Sequence, residues 1–103
     1  AQQAADTAQR LRQLAEEDLS RIQSLKRVAE SVRRVHEALL QRPIATAALL
    51  SNLDQLSPAT VNKSLRYLEH LWIAREITGR KRNRVFCYTA YIAILNEGTE
   101  LPE

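Results

Sequence analysis

Between Leu25 and Leu39 apolar residues recur in alternating steps of three and four: Leu25, Val28, Val32, Val35 and Leu39. That spacing makes one sustained stripe on a helix. The helical pattern runs from about Ala4 to Gln41 without a Gly or Pro. Followed backwards, the same heptad fails at Arg21 and Asp18 and resumes at Leu14 and Leu11, while Leu19 and Ile22 are displaced by one position. Either the helix breaks near Asp18–Ser24, with Asp18 or Ser20 as an N-cap, or its buried face rotates there. Arg42-Pro43 ends this region, because proline disfavours helical geometry in the residue before it. Ile44-Ala45 predicts a minimal strand. Thr46 then caps a helix from Ala47 to about Asn52, with Leu49, Leu50 and Leu53 turned inward and Leu56 as a pin in the next turn.

The stretch from Ser57 to Tyr88 changes period part-way. Ser57-Pro58 is a helix start: the Ser side chain accepts from an orphan N–H, and Pro58 sits where its missing N–H costs nothing. Val61, Leu65 and Leu68 line one face of a helix ending near Leu71, with Trp72 expected as a core anchor under a hairpin. The hairpin strands are predicted at Ile73–Thr78 and Arg84–Tyr88 around a polar turn, Gly79–Asn83, and a last helical turn at Ala90–Leu95 is stopped by Asn96-Glu97-Gly98. The fold class is mainly α with a small β-hairpin (α+β): a winged helix-turn-helix preceded by a long N-terminal helix or helix pair.

Charge sharpens this picture. The whole chain carries +3, with a pI near 9.4. From Thr60 to Tyr88 alone, Lys63, Arg66, Arg75, Arg80, Lys81, Arg82 and Arg84 stand against Glu69 and Glu76, 7 − 2 = +5. The remainder is therefore slightly acidic, and the basic surplus lies on the predicted third helix and wing. Double-stranded DNA is the expected partner. Ser57, Thr60, Asn62, Lys63 and Arg66 would meet base edges, since Asn and Arg have the fork geometry that reads adenine and guanine. Arg80, Lys81, Arg82 and Arg84 would meet phosphates or the minor groove.

Catalytic chemistry has little to stand on, and no enzyme activity is expected within these residues. His36 and His70 fall in separate helices; His36 reads as a core or surface histidine, and His70 as a partner for a helix C-terminus when protonated. Cys87, between Phe86 and Tyr88, reads as an inert core thiol. Glu16, Glu17 and Asp18 read as a solvated face rather than a metal site, because adjacent helical positions point apart. No HExxH, CxxC or phosphate-binding glycine loop occurs, so no cofactor or metal is expected. A single cysteine excludes an internal disulfide framework and makes a reducing, cytoplasmic location the default. No apolar run approaches a membrane span, and no signal peptide is legible. The chain lacks a starting Met and begins in mid-helix composition, as expected of a piece of a longer protein.

The runs VHEALLQRPIAT, LSPATVNKSLRYLEHL and REITGRKRNRVFCYTAYIAILNEGTEL resemble the C-terminal winged-helix domain of bacterial Fic family proteins. The most specific part is Thr78-Gly79-Arg80-Lys81-Arg82-Asn83-Arg84, followed by Tyr88 and by Ile94 to Glu100. TAQRLRQLAEEDLSRIQSL is similar to the linker helix leaving the catalytic core. The resemblance implies a linker at 1–24 and a winged-helix domain at 25–103. The family's core transfers AMP from ATP to protein hydroxyls through a His-Pro-Phe motif and a Gly-Asn-Gly-Arg loop, neither of which is in this chain. It thus implies a non-catalytic appendage of an adenylyltransferase, with the Fic core as a partner in cis. DNA binding, target presentation, and regulation or homodimerisation through the N-terminal helix (Leu11–Leu19) are the roles open to it. One departure is Trp72, where the family leads one to expect a small residue, often Gly.

Overall fold

The computed structural model describes residues 2–99, with side chains from 6 to 97; Glu100, the last residue of the tail motif, and residues 101–103 lie outside the described residues. The elements are α1 (Gln2–Gln23), a 3-10 turn (Lys26–Val28), α2 (Ala29–Gln41), β1 (Ile44–Thr46), α3 (Ala47–Asp54), α4 (Pro58–His70), β2 (Arg75–Glu76), β3 (Val85–Cys87) and α5 (Thr89–Thr99).

The long N-terminal pattern resolves as a break, placed after the expected cap residues rather than at them. Asp18 and Ser20 both lie inside α1, and Val28 precedes α2 without any side-chain cap bond. The chain reverses through Lys26, which has φ +62°. Ser24 Oγ donates to the Arg21 carbonyl at 2.6 Å, and Leu25 N–H to the Ile22 carbonyl at 2.9 Å, closing the end of α1. The stripe read from Leu25 to Leu39 survives the break: Val32, Val35 and Leu39 are fully buried, and Leu25, just before the 3-10 turn, and Val28, at its end, pack against the core.

Local signals set most of the next boundaries. Arg42 leaves helical geometry before Pro43. Thr46 accepts from Leu49 N–H at 3.1 Å and starts α3. Ser57 accepts from Thr60 N–H at 3.2 Å, with Pro58 in the first turn of α4. α3 runs slightly past Asn52, and of its leucines only Leu50 is fully buried. Leu49 packs at the edge of the core, whereas Leu53 in the last turn is exposed. Leu56 packs against the core as the expected pin.

α4 ends in a Schellman motif. Trp72 N–H donates to the Glu69 carbonyl at 3.0 Å, and Ile73 N–H to the Leu68 carbonyl at 2.9 Å. This closure needs a left-handed residue between them, and Trp72 supplies it with φ +62°. The expected core anchor is therefore overturned: a residue in that conformation projects outward, Trp72 is 79% exposed, and the adjacent Ile73 is buried instead.

The three strands form an antiparallel sheet in the order β1-β3-β2, with Ala45 opposite Phe86 and Arg75 opposite Cys87. Both hairpin strands are shorter than the apolar pattern predicts. Ile77 N–H still bonds the Val85 carbonyl at 2.9 Å, but its side chain is 52% exposed. α5 extends beyond Leu95 through Asn96, Glu97 and Gly98 rather than stopping there. Neither a lone glycine nor an asparagine breaks a helix that already has a packing partner. From α2 to β3, the order helix, strand, helix, helix, strand, wing, strand is that of a winged helix-turn-helix. α1 lies along α5 and α2, and its Ile22 is fully buried in the core.

Candidate nucleic-acid interface

Each part of the site is held by a local device. At the start of α4 the Ser57 and Thr60 hydroxyls lie 2.8 Å apart and bond each other, while Ser57 also caps the helix. The Ser57 hydroxyl is therefore engaged as the cap and the Thr60 hydroxyl is bonded to it. One turn further on, Asn62, Lys63 and Arg66 are exposed, because Val61, Ser64, Leu65 and Leu68 take the buried face. Asn62 and Arg66, four residues apart, lie on the same side of the helix.

The wing (78–84) is anchored at its root by one carboxylate oxygen. Glu76 Oε2 accepts from Thr78 N–H at 2.7 Å, from Gly79 N–H at 2.8 Å, and from the Thr78 hydroxyl. The Thr78 hydroxyl bond, with the two backbone N–H bonds and nearby Arg84, holds this carboxyl below the usual carboxylate range despite some burial cost. Gly79 turns the chain with φ +67° and Asn83 turns it back with φ +53°. Asparagine tolerates that region better than most side chains. Arg84 Nε donates to the Arg80 carbonyl at 2.7 Å, bridging the wing's two limbs.

These parts enclose a cleft of about 460 Å³ between the start of α3, the exposed side of α4 and the wing. Of the residues expected at the interface, Asn62, Arg66, Lys81 and Arg84 line it together. Lys63 sits on an adjoining strip of α4 with Tyr67 and His70. Arg80 and Arg82 are exposed on the wing outside the cleft lining, and Ser57 and Thr60 stay at the cap.

The ion pairs among the described residues lie away from this surface: Arg10 pairs with Glu97, Arg21 with Asp18, Arg33 with Glu30 and Glu37, and Arg34 with Asp54. Arg12, Lys26, Arg27 and Arg42, also away from it, are nevertheless in none among the described residues. Among the described residues, no ion pair includes Lys63, Arg66, Arg75, Arg80, Lys81, Arg82 or Arg84. Glu69 is an acidic group in the cleft wall, and Glu76 is taken up by the wing root.

No family model, curated protein or solved structure matches this chain.

The residues considered for catalysis are dispersed. His36 is buried and bonds Tyr88, and His70 is exposed at the end of α4. Cys87 is buried in β3, and burial pushes its thiol up. Glu16 and Glu17 are solvated as expected, but Asp18 is not: it is buried, and it accepts from the Tyr88 hydroxyl at 2.5 Å. Among the described residues no three His, Cys, Asp or Glu side chains gather where they could hold a metal ion, and no helix is long and apolar enough to cross a membrane. Three features of the surface were not legible as such: the Glu76 clamp, the Asn83 turn and the outward Trp72. The only advance sign of the last was a bulky residue where a turn prefers glycine.

Proposed function

We propose that this chain is a non-catalytic winged-helix module that binds double-stranded DNA through α4 and the wing, carried at the C-terminal end of a Fic family protein. The observation that supports DNA binding is the gathering of cations from α4 and the wing at one cleft. Arg66, Lys81 and Arg84 line the cleft with Asn62, Lys63 adjoins it and Arg80 and Arg82 lie beyond it on the wing, none of these cations in an ion pair among the described residues. A polyanion fits that arrangement. Asn62 and Arg66 would meet base edges in the major groove. Lys81 and Arg84, with Arg80 and Arg82 beyond them, would neutralise phosphates and release counterions. The link to Fic proteins rests on the sequence resemblance alone.

The test is a fluorescence-anisotropy titration of random duplex DNA at two salt concentrations. Replacing Arg80, Lys81 and Arg82 together by Ala should weaken binding roughly tenfold or more at low salt and reduce the slope of log K against log salt by about 2 to 3. No binding by the wild-type domain, or binding indifferent to salt, overturns the reading in favour of a protein-docking role.

A further inference from the structure

We propose that the C-terminal end of α4 carries a second site, one that stacks an unpaired base of single-stranded nucleic acid on Trp72. Trp72 is the chain's only tryptophan and, among the described residues, the most exposed large apolar side chain. It occupies the left-handed closing position of the α4 cap, φ +62°, where glycine would carry no steric penalty. The core has no use for the indole, since Ile73 beside it is buried and fills the inward place. A large aromatic ring is thus held out in water at a position that disfavours it on two counts.

Its surroundings indicate what would cover it. One shallow depression is lined by Trp72, His70, Glu69 and Arg66, and a second by Arg66, His70, Tyr67 and Lys63. Aromatic faces and cations therefore alternate along the end of the helix, the composition that binds single strands by stacking bases and tracking phosphates. Lys63 and Arg66 have no ion-pair partner among the described residues. Glu69 is the one acidic residue lining the two depressions. It repels phosphate next to the indole and can accept from a base amino group, so the base belongs at Trp72 and the backbone along Lys63 and Arg66. A second copy of the chain fits less well. A self-complementary contact centred here would set Lys63 and Arg66 against their own like charges. This site goes beyond the duplex reading: it requires no wing residue, and it stands if duplex binding fails.

Because Trp72 is the sole tryptophan, its emission reports on the site directly. The full chain is titrated with a mixed-sequence single-stranded DNA of about 12 nucleotides and with RNA of the same sequence. Saturable quenching is expected, and the arm that gives the tighter curve identifies the kind of strand. By anisotropy of labelled strands, Trp72→Gly should weaken binding about tenfold and Trp72→Phe much less. Trp72→Gly suits the backbone at this position, and an unchanged far-UV circular dichroism spectrum separates loss of the ring from loss of the fold. Three outcomes overturn the proposal: no quenching by either strand, a Trp72→Gly variant that binds as tightly as the wild type, or a shift of the emission with protein concentration alone, which would mean that a second copy covers the ring.

Discussion

Tyr88 has one hydroxyl hydrogen and gives it to Asp18 Oδ2; His36 Nε2 lies 3.1 Å from the same hydroxyl oxygen. With that hydrogen committed to the carboxylate, the imidazole must donate from Nε2, which fixes the tautomer of the neutral ring. All three groups are buried, and they tie α1 and α2 to the junction of β3 and α5. Burial holds the His36 pKa below its ordinary value of about 6.5, outweighing the opposing pull of Asp18 and Glu37. The unfolded chain therefore binds a proton near pH 6.5 that the folded chain refuses until lower pH. Stability from this residue is complete above about pH 6.5 and falls as pH drops below it, by at most about 1.4 kcal/mol per pH unit. Urea unfolding between pH 7 and 5 should show this decline, and His36→Gln should flatten it. An equal decline in that variant would assign the effect to other groups.

Among the elements, those bounded by short-range chemistry were the most legible. Thr46, Ser57-Pro58 and Pro43 act on N–H groups or dihedrals within a few residues, so their effects can be read along the chain, and α3 and α4 begin at the expected residues. Removing such a signal should have a local cost. Ser57→Ala is expected to destabilise the domain by about 1 kcal/mol, lowering the melting midpoint by roughly 4–8 °C in a thermal scan. A midpoint unchanged within 1 °C or so would mean that the Ser57 bond adds nothing to the fold. Elements shaped by distant partners were less legible. Asp18 looks like a solvated acid or a cap until Tyr88, seventy residues later, reaches it. Trp72 looks like core because indole usually is, and only the closing geometry of α4 turns it out. The same holds for the interface. Its cations could be listed from composition, but the meeting of Lys81 and Arg84 with Arg66 in one cleft depends on where Gly79 and Asn83 aim the wing.

At the scale of the whole molecule, α1 decides whether the winged-helix portion is self-sufficient. It contributes Ile22 and Asp18 to the interior and packs Leu14 at its edge. Arg10 joins it to Glu97 on α5 at 2.6 Å. Deleting residues 1–23 uncovers apolar surface worth about 1.5–3 kcal/mol for Ile22 alone and strips the Tyr88 hydroxyl of its acceptor, a further cost of about 1–3 kcal/mol. The truncated chain should lose several kcal/mol in a urea titration with far-UV detection. An unchanged midpoint would show instead that α1 is an arm resting on an independent domain.

One contact gives α1 a second meaning. Arg21 donates through Nη2 to the carbonyl of Leu71, in the cap that closes α4. A helix of 22 residues is about 33 Å long, so α1 is a lever that bears, through one guanidinium, on the end of the helix flanking the basic cleft. A torque applied near its first residues would be felt where α4 stops and Trp72 turns outward. Mechanically, the first turns of α1 and the end of the helix that borders the basic cleft are one linkage.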